Sequence, residues 1–104
     1  MTDQKYILKG KEVVPATLEE WDTWFEKGDR IIQQNEFVKR HWLFWLYEVK
    51  VSTVFLGLDH NWGDGPPLLF ETMIFGGKHD QYQERYSTYE EAEAGHEEAL
   101  KLIN

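Results

Sequence analysis

The residues that could do chemistry cluster around one glycine- and proline-rich segment, residues 59–67, between two apolar runs. Asp59 and His60 open this segment, and His96 lies in a helical pattern near the end of the chain. Two imidazole nitrogens and a carboxylate are ligands that divalent metals accept. One hypothesis is therefore a metal-dependent enzyme or a metal-stabilised domain centred on Asp59, His60 and His96. The spacing matches no known metal motif, and the simpler alternative makes His96 a hydrogen-bonded core histidine and Asp59 a cap for loop N–H groups.

Acidic side chains also raise the question of acid–base hydrolysis. Asp59 and Glu71 would face each other across the hairpin that the two apolar runs predict, and paired carboxylates can divide the general acid and general base roles. A glutamate in an apolar strand more often points to solvent or pairs with an arginine, here Arg30 or Arg85. The sequence has no cysteine, no nucleophile elbow and no phosphate-binding loop. We therefore assign no catalytic residues and no cofactor.

The glycine- and proline-rich segment is also a candidate protein-binding surface. Its composition excludes regular structure, so it forms a loop at the end of a strand. Loops held by a rigid sheet carry binding residues disproportionately often. We predict that the contact residues of this loop are Asp59, His60, Trp62 and Asp64.

An aromatic run at residues 42–47 is a second candidate surface. As a strand it would be apolar on both faces, so one face must meet helices or another chain. Basic residues precede it, and basic residues beside aromatic ones are typical of single-stranded nucleic-acid binding. The charge of the chain argues against that partner. We predict an interface, with a second copy of the chain or with another protein, through Trp42, Phe44, Trp45 and Tyr47.

Composition narrows the choice of partner and compartment. The 104 residues include 19 Asp and Glu against 11 Lys and Arg, and the net charge is −8. This charge repels nucleic acids and anionic membranes at long range, whereas it favours docking on a basic protein surface. We find no secretory leader pattern and no apolar run near the ~20 residues of a membrane span. We expect a single domain over residues 1–104, located in the cytoplasm and binding neither nucleic acid nor membrane directly.

The first half of the chain predicts a hairpin followed by a helix. The hairpin turns at Gly10. Thr17 and Glu20 form a capping box, so we predict a helix from about Leu18 to Lys27 that Gly28 ends in a C′ role. The apolar side of this helix carries Leu18, Trp21, Trp24 and Phe25.

The second half predicts strands followed by a long helix. Strands are expected at about residues 30–38, 42–58, 68–75 and 82–86, the last of them at an edge. The helix begins at one of two overlapping capping boxes, started by Ser87 or Thr88, and runs to about Ile103. Its inner face carries Tyr89, Ala92, His96, Ala99 and Ile103. Together the elements predict an α+β fold: an antiparallel β-sheet of five to six strands with two helices packed on one face.

Three segments carry a resemblance: VSTVFLGLDH at 51–60, GDGPPLLFETMIFGG at 63–77 and RYSTYEEAEAGH at 85–96. With these motifs the chain resembles a family of small uncharacterised proteins encoded by tailed bacteriophages and prophages. The resemblance covers roughly the C-terminal half, and residues 37–47 depart from it. It implies a phage accessory protein made in the cytoplasm of a bacterial host, and it carries over no catalytic residues. The leading hypothesis is a small acidic accessory protein that binds a host or phage protein, with inhibition of a host defence or replication factor as one mode of action.

Overall fold

The computed structural model describes residues 4–41, 45–61 and 63–103. Six strands and two helices follow one another in the order predicted from the sequence. The strands are β1 (Lys5–Lys9), β2 (Glu12–Ala16), β3 (Ile31–His41), β4 (Trp45–Phe55), β5 (Phe70–Phe75) and β6 (Gln83–Tyr86). The helices are α1 (Leu18–Lys27) and α2 (Tyr89–Ile103). The predicted bounds of α1 are confirmed.

The main sheet has four antiparallel strands in the order β3-β4-β5-β6. Burial alternates along β4, because successive side chains of a strand point to opposite faces. The covered face carries buried Val49, Val51, Thr53 and Phe55 from this strand. The other face, which we call the open face, carries the alternate residues of β4 and their neighbours on β3, β5 and β6. β6 lies at an edge of the sheet, as predicted.

The β3–β4 hairpin is longer than the rest of the sheet. β5 pairs only with residues 50–55 of β4, whereas β3 pairs with β4 as far as the His41–Trp45 pair. Near its start β3 contains an irregularity between Ile31 and Gln33 that the sequence did not predict. Residues 37–41 and 45–49 therefore form a two-stranded extension beyond β5.

The β1–β2 hairpin is a separate two-stranded sheet that joins the main sheet at the end of β4. Lys5 forms an isolated bridge with Leu58, and the Tyr6 N–H donates to the Gly57 carbonyl over 2.9 Å. Gly57 has a positive φ of 74°, and a Cβ there would collide with the Phe25 ring of α1. A glycine is therefore required where β1, β4 and α1 meet.

Helix α1 is held by the predicted capping box and by its aromatic side chains. The Thr17 hydroxyl accepts from the Glu20 N–H, and the Glu20 carboxylate accepts from the Thr17 N–H. Trp24 and Phe25 pack on Phe55 of the covered face, with ring centroids 5.4 and 6.3 Å away. Two details of the predicted helix are wrong. Leu18 is 59% exposed because it lies in the first turn, and Gly28 has an extended backbone (φ −84°), not the left-handed one of a C′ glycine.

Helix α2 packs across the covered face. Of the two overlapping capping boxes, the structure contains the one between Thr88 and Glu91, with both hydrogen bonds at 3.1 Å. Its buried residues are Ala92, His96 and Ala99. These are three of the five residues predicted for the inner face, and the flanking Tyr89 and Ile103 are half-buried.

The predicted fold class is confirmed. The molecule is α+β, with six antiparallel strands. Both helices lie against the covered face: Phe55 contacts α1, and the ring of its neighbour Phe70 lies 6.0 Å from that of Tyr89 in α2. The strands divide between two sheets, and the Lys5–Leu58 bridge and the Tyr6–Gly57 hydrogen bond connect β1 to the chain that follows β4. Neither helix in the described parts of the chain is long and apolar enough to cross a membrane.

Candidate functional site: the open face of the sheet

Asp59, predicted as a binding or metal-ligating residue, is a loop cap. It is only 8% exposed, and its Oδ1 accepts hydrogen bonds from the N–H groups of Asn61 (2.7 Å) and Leu68 (3.0 Å). This carboxylate therefore closes the loop by joining its two ends. The arrangement matches the structural alternative raised from the sequence.

Two further side chains of the loop also have partners within or next to it. The His60 Nδ1 lies 2.9 Å from the Leu58 carbonyl, and the Asn61 amide donates to the carbonyls of Asp64 (3.2 Å) and Pro66 (3.0 Å). Asp64 is exposed. Trp62, the fourth predicted contact residue, lies outside the described residues. The described residues of the loop are thus held together by hydrogen bonds of their own side chains.

His96 lies in the middle of a buried polar network on the covered face. Its Nε2 is 2.7 Å from Asn35 Oδ1 on β3, and its Nδ1 is 2.7 Å from Thr53 Oγ1 on β4. An amide oxygen only accepts, so Nε2 carries a proton, and in the neutral ring Nδ1 then accepts from the threonine hydroxyl. Thr53 is bonded in turn to Thr72 on β5. Burial lowers the pKa of His96, against a smaller opposing effect of Glu97, and favours the neutral ring.

The predicted metal ligands do not form a cluster. Within residues 4–41, 45–61 and 63–103, no three His, Cys, Asp or Glu side chains are placed to hold a metal ion together. Both ring nitrogens of His96 already have oxygen partners inside the core. His60 lies on the loop after β4, where its Nδ1 faces a backbone carbonyl. The geometry therefore gives the metal-site hypothesis no support.

The second carboxylate considered for catalysis has a structural partner. Glu71 lies on the open face and pairs with Arg85 of β6, with Nε and Oε2 2.9 Å apart. Gln83 donates to the same carboxylate oxygen. Asp59 holds the loop backbone, so both carboxylates have structural hydrogen-bond partners. The arginine partner suggested by the sequence is confirmed as Arg85.

The aromatic run is only partly described. Trp42 and Phe44 lie outside the described residues, as does the side chain of Trp45. Tyr47 is half-buried and packs with the Val49 cluster at the end of the covered face. Leu46, between them, points to the open face and is 65% exposed.

The open face carries apolar side chains with no helix over them. Val38 and Leu46 are 65% exposed, and Phe75 is 39% exposed. The Lys50 ammonium lies 4.9 Å from the centre of the Phe75 ring, which is within cation–π range. These residues share the open face of three neighbouring strands, and each is opposite a charged residue: Val38 opposite Glu48, Leu46 opposite Arg40 and Phe75 opposite Lys50.

A depression of ≈ 590 Å³ lies where β5 ends beside the β3–β4 hairpin. It is bounded by β3, β4 and the end of β5, and its lining includes Glu36, Val38, Glu48, Lys50 and Phe75. Charges on the open face balance, although the chain is strongly acidic. By strand alternation the described open-face residues include equal numbers of acidic and basic side chains: Glu36, Glu48 and Glu71 against Arg40, Lys50 and Arg85.

Sequence reasoning did not identify this surface. The alternation of β4 is the sequence signal for this surface, because Leu46, Lys50 and Val54 lie on the face opposite to the buried residues. Recognising a surface required the register that places Lys50 beside Phe75 and Val38 beside Glu48.

Comparisons with known proteins add no identification. No protein-family model matches the chain, and neither the curated proteins nor the solved structures contain a detectable match.

Proposed function

We propose that this protein acts by binding another protein, and that the open face around Val38, Leu46, Lys50 and Phe75 is the contact surface. The observation that carries the proposal is the set of exposed apolar side chains on a sheet face that no described helix covers. An antiparallel sheet can expose one face to water when that face is polar. Large apolar side chains exposed together on one face instead favour an interaction site.

The charges on the surface support a protein partner. Opposite charges interleave with apolar groups across neighbouring strands, as in the Glu36–Lys50–Phe75 row. Interfaces between proteins combine apolar anchors with a polar and charged rim. The net charge of −8 disfavours nucleic acid as the alternative.

The biological setting is also part of the proposal. The resemblance of residues 51–96 to proteins of tailed bacteriophages and prophages supports a phage accessory protein acting in the bacterial cytoplasm. Its partner would then be a host or phage protein, and a host defence or replication factor fits that role. No observation in the structure favours the metal-dependent alternative built on Asp59, His60 and His96.

Affinity capture with matched variants tests the proposal. The immobilised protein is incubated with lysates of uninfected and phage-infected bacteria, and bound proteins are quantified by mass spectrometry. We expect one stoichiometric partner whose capture falls at least about tenfold in the double variant Leu46→Ser, Phe75→Ser, because truncating central apolar contacts costs more than 1 kcal/mol. Both side chains are exposed, so the variant retains its fold.

Two control variants make the result specific. Leu18→Ser removes a similarly exposed leucine from α1, and Asp64→Asn changes the charge of the loop. Both should capture the partner normally. Absence of any stoichiometric partner for the folded wild type would contradict protein binding, and equal capture by the double variant would exclude the open face.

A further inference from the structure

The outer edge of β3 is the longest free strand edge in the described part of the chain. β3 is the end strand of the main sheet and has 11 residues, whereas β6 at the other edge has four. Unpaired N–H and C=O groups along such an edge are ready to pair with another strand. Its charged residues Glu36, Lys39 and Arg40 limit which strand can pair with it.

The structure shows which residues of β3 direct their backbone outward. A Cβ on Gly76 would collide with the Glu48 carbonyl oxygen, so that carbonyl points toward β5 and away from β3. Glu48 is opposite Val38. In an antiparallel ladder, two residues directly opposite each other either exchange both backbone hydrogen bonds or direct their N–H and C=O groups to the outer sides of the strand pair. The N–H and C=O groups of Val38 therefore point to the free edge, and alternation extends this direction to Glu36 and Arg40.

We propose that β3 pairs antiparallel with β3 of a second copy of this chain, with Val38 on the twofold axis. The outward N–H and C=O groups of β3 in one copy then face those of β3 in the other copy and form hydrogen bonds with them. Glu36 of each copy lies opposite Arg40 of the other, on the open face. On the covered face Phe37 lies opposite Lys39, whose ammonium is already 5.9 Å from the Phe37 ring within one chain. The segment Glu36–Arg40 is thus complementary to itself in charge and shape.

Other registers lose this complementarity. A twofold axis at Glu36 places the Glu36 carboxylates of the two copies opposite each other. An axis at Arg40 likewise places the two Arg40 guanidinium groups opposite each other. Like charges directly opposite each other destabilise a strand pair. An axis at Phe37 places Glu36 opposite Val38 and removes the ion pairs. The axis at Val38 alone pairs opposite charges at both flanking positions.

This self-pairing is independent of partner binding, although the two surfaces adjoin. It joins two four-stranded sheets edge to edge, so the two open faces become one continuous surface. A partner bound there would meet two copies of the Val38–Phe75 region related by the twofold axis.

A charge-swap series tests the register. Sedimentation equilibrium of the full chain over a range of concentrations gives the dimer dissociation constant. We expect Glu36→Arg and Arg40→Glu each to raise it at least about tenfold, because each change turns two symmetric attractions into repulsions. The double variant Glu36→Arg, Arg40→Glu restores opposite charges and should return within about threefold of the wild type.

Val38→Pro provides the backbone test. The outward N–H of Val38 is not needed for pairing with β4, so proline at this edge position preserves the chain fold and removes a central hydrogen bond of the dimer. We expect a monomer with an unchanged circular dichroism spectrum. A monomeric wild type at all concentrations, a dimer that survives Val38→Pro in folded protein, or a double charge variant no tighter than the single ones would each overturn the proposal.

Discussion

The two faces of the main sheet are built from alternate residues of the same strands, yet they differ in almost every physical property. On the covered face, Val51, Phe55, Phe70 and Ile74 have no exposed surface. On the open face, Val38 and Leu46 keep 65% of theirs. One face therefore stabilises the fold, and the other is available for contact at little cost to stability. The comparison shows how a small protein separates folding from recognition by a displacement of one residue along a strand.

Polarity is distributed between the faces in an unexpected way. The covered face contains the network of His96, Asn35, Thr53 and Thr72, while the open face contains apolar side chains among its charges. A fully satisfied polar network inside a core favours one arrangement of the helix on the sheet, because any shift leaves buried groups unpaired. The network thus fixes the position of α2.

The largest expected effect comes from substituting the same residue type on each face. Phe55→Ala should lower the free energy of unfolding by about 4 kcal/mol, because the ring is completely buried between Trp24, Phe25 and Phe70. Phe75→Ala should cost only about 1 kcal/mol, since the ring is 39% exposed. Urea unfolding monitored by tryptophan fluorescence measures both. Equal losses would contradict the division between the faces.

A smaller effect is expected where α2 meets β6. A Cβ on Gly95 would collide with the Tyr86 side chain. Alanine is favoured over glycine in a helix by about 1 kcal/mol, but overpacking costs more, so Gly95→Ala should destabilise the protein by about 1–2 kcal/mol net. Thermal unfolding gives the sign. A higher melting temperature would mean that α2 lies farther from the sheet than described, and Gly95→Ala combined with Tyr86→Phe would then show no coupling.

The smallest effect is a pH dependence from the covered face. Burial lowers the pKa of His96 in the folded protein, whereas the unfolded value is about 6.5. The stability contributed by the neutral ring is therefore complete above about pH 6.5, and it is lost as the pH falls from there through the folded pKa. We expect His96→Gln to be less stable at pH 7.5 but to lose less stability than wild type between pH 7.5 and 5.5. Parallel losses in both proteins would rule out this residue as the cause.

Local signals in the sequence were sufficient for most elements of the fold. The capping boxes at Thr17 and Thr88 depend on residues three positions apart, so the sequence alone predicts them without tertiary information. The alternation of Val49, Val51, Thr53 and Phe55 likewise identifies a strand with one buried side. The roles of Asp59 as a loop cap and of His96 as a core histidine were available as alternatives to the metal site, and the hydrogen bonds confirm both.

The candidate site depends on information that a single strand does not carry. Alternation distinguishes two faces, but it does not say that both helices cover the same one. Lys50 becomes a surface residue next to Phe75 only through the pairing of β4 with β5, which brings together residues 25 positions apart. Leu18 shows the converse error: its helical spacing suggested burial, yet its place in the first turn leaves it in solvent.

Because the strands differ in length, β4 has two parts whose backbone amides we expect to exchange with solvent at different rates. Residues 50–55 have strands on both sides and α2 above them, whereas residues 45–49 pair along β3 alone. Val49 belongs to a buried core cluster, whereas opening residues 45–48 breaks one ladder and moves only half-buried Tyr47 away from that cluster. We therefore expect the amides of residues 45–48 to exchange through local fluctuations, and those of residues 51–55 through global unfolding. The end of β5 thus marks a boundary in protection within one continuous strand. A molecule that binds the outer residues 45–48 of the folded protein slows exchange there. Because it also stabilises the folded state by mass action, it slows exchange of the inner residues 51–55 through global unfolding as well.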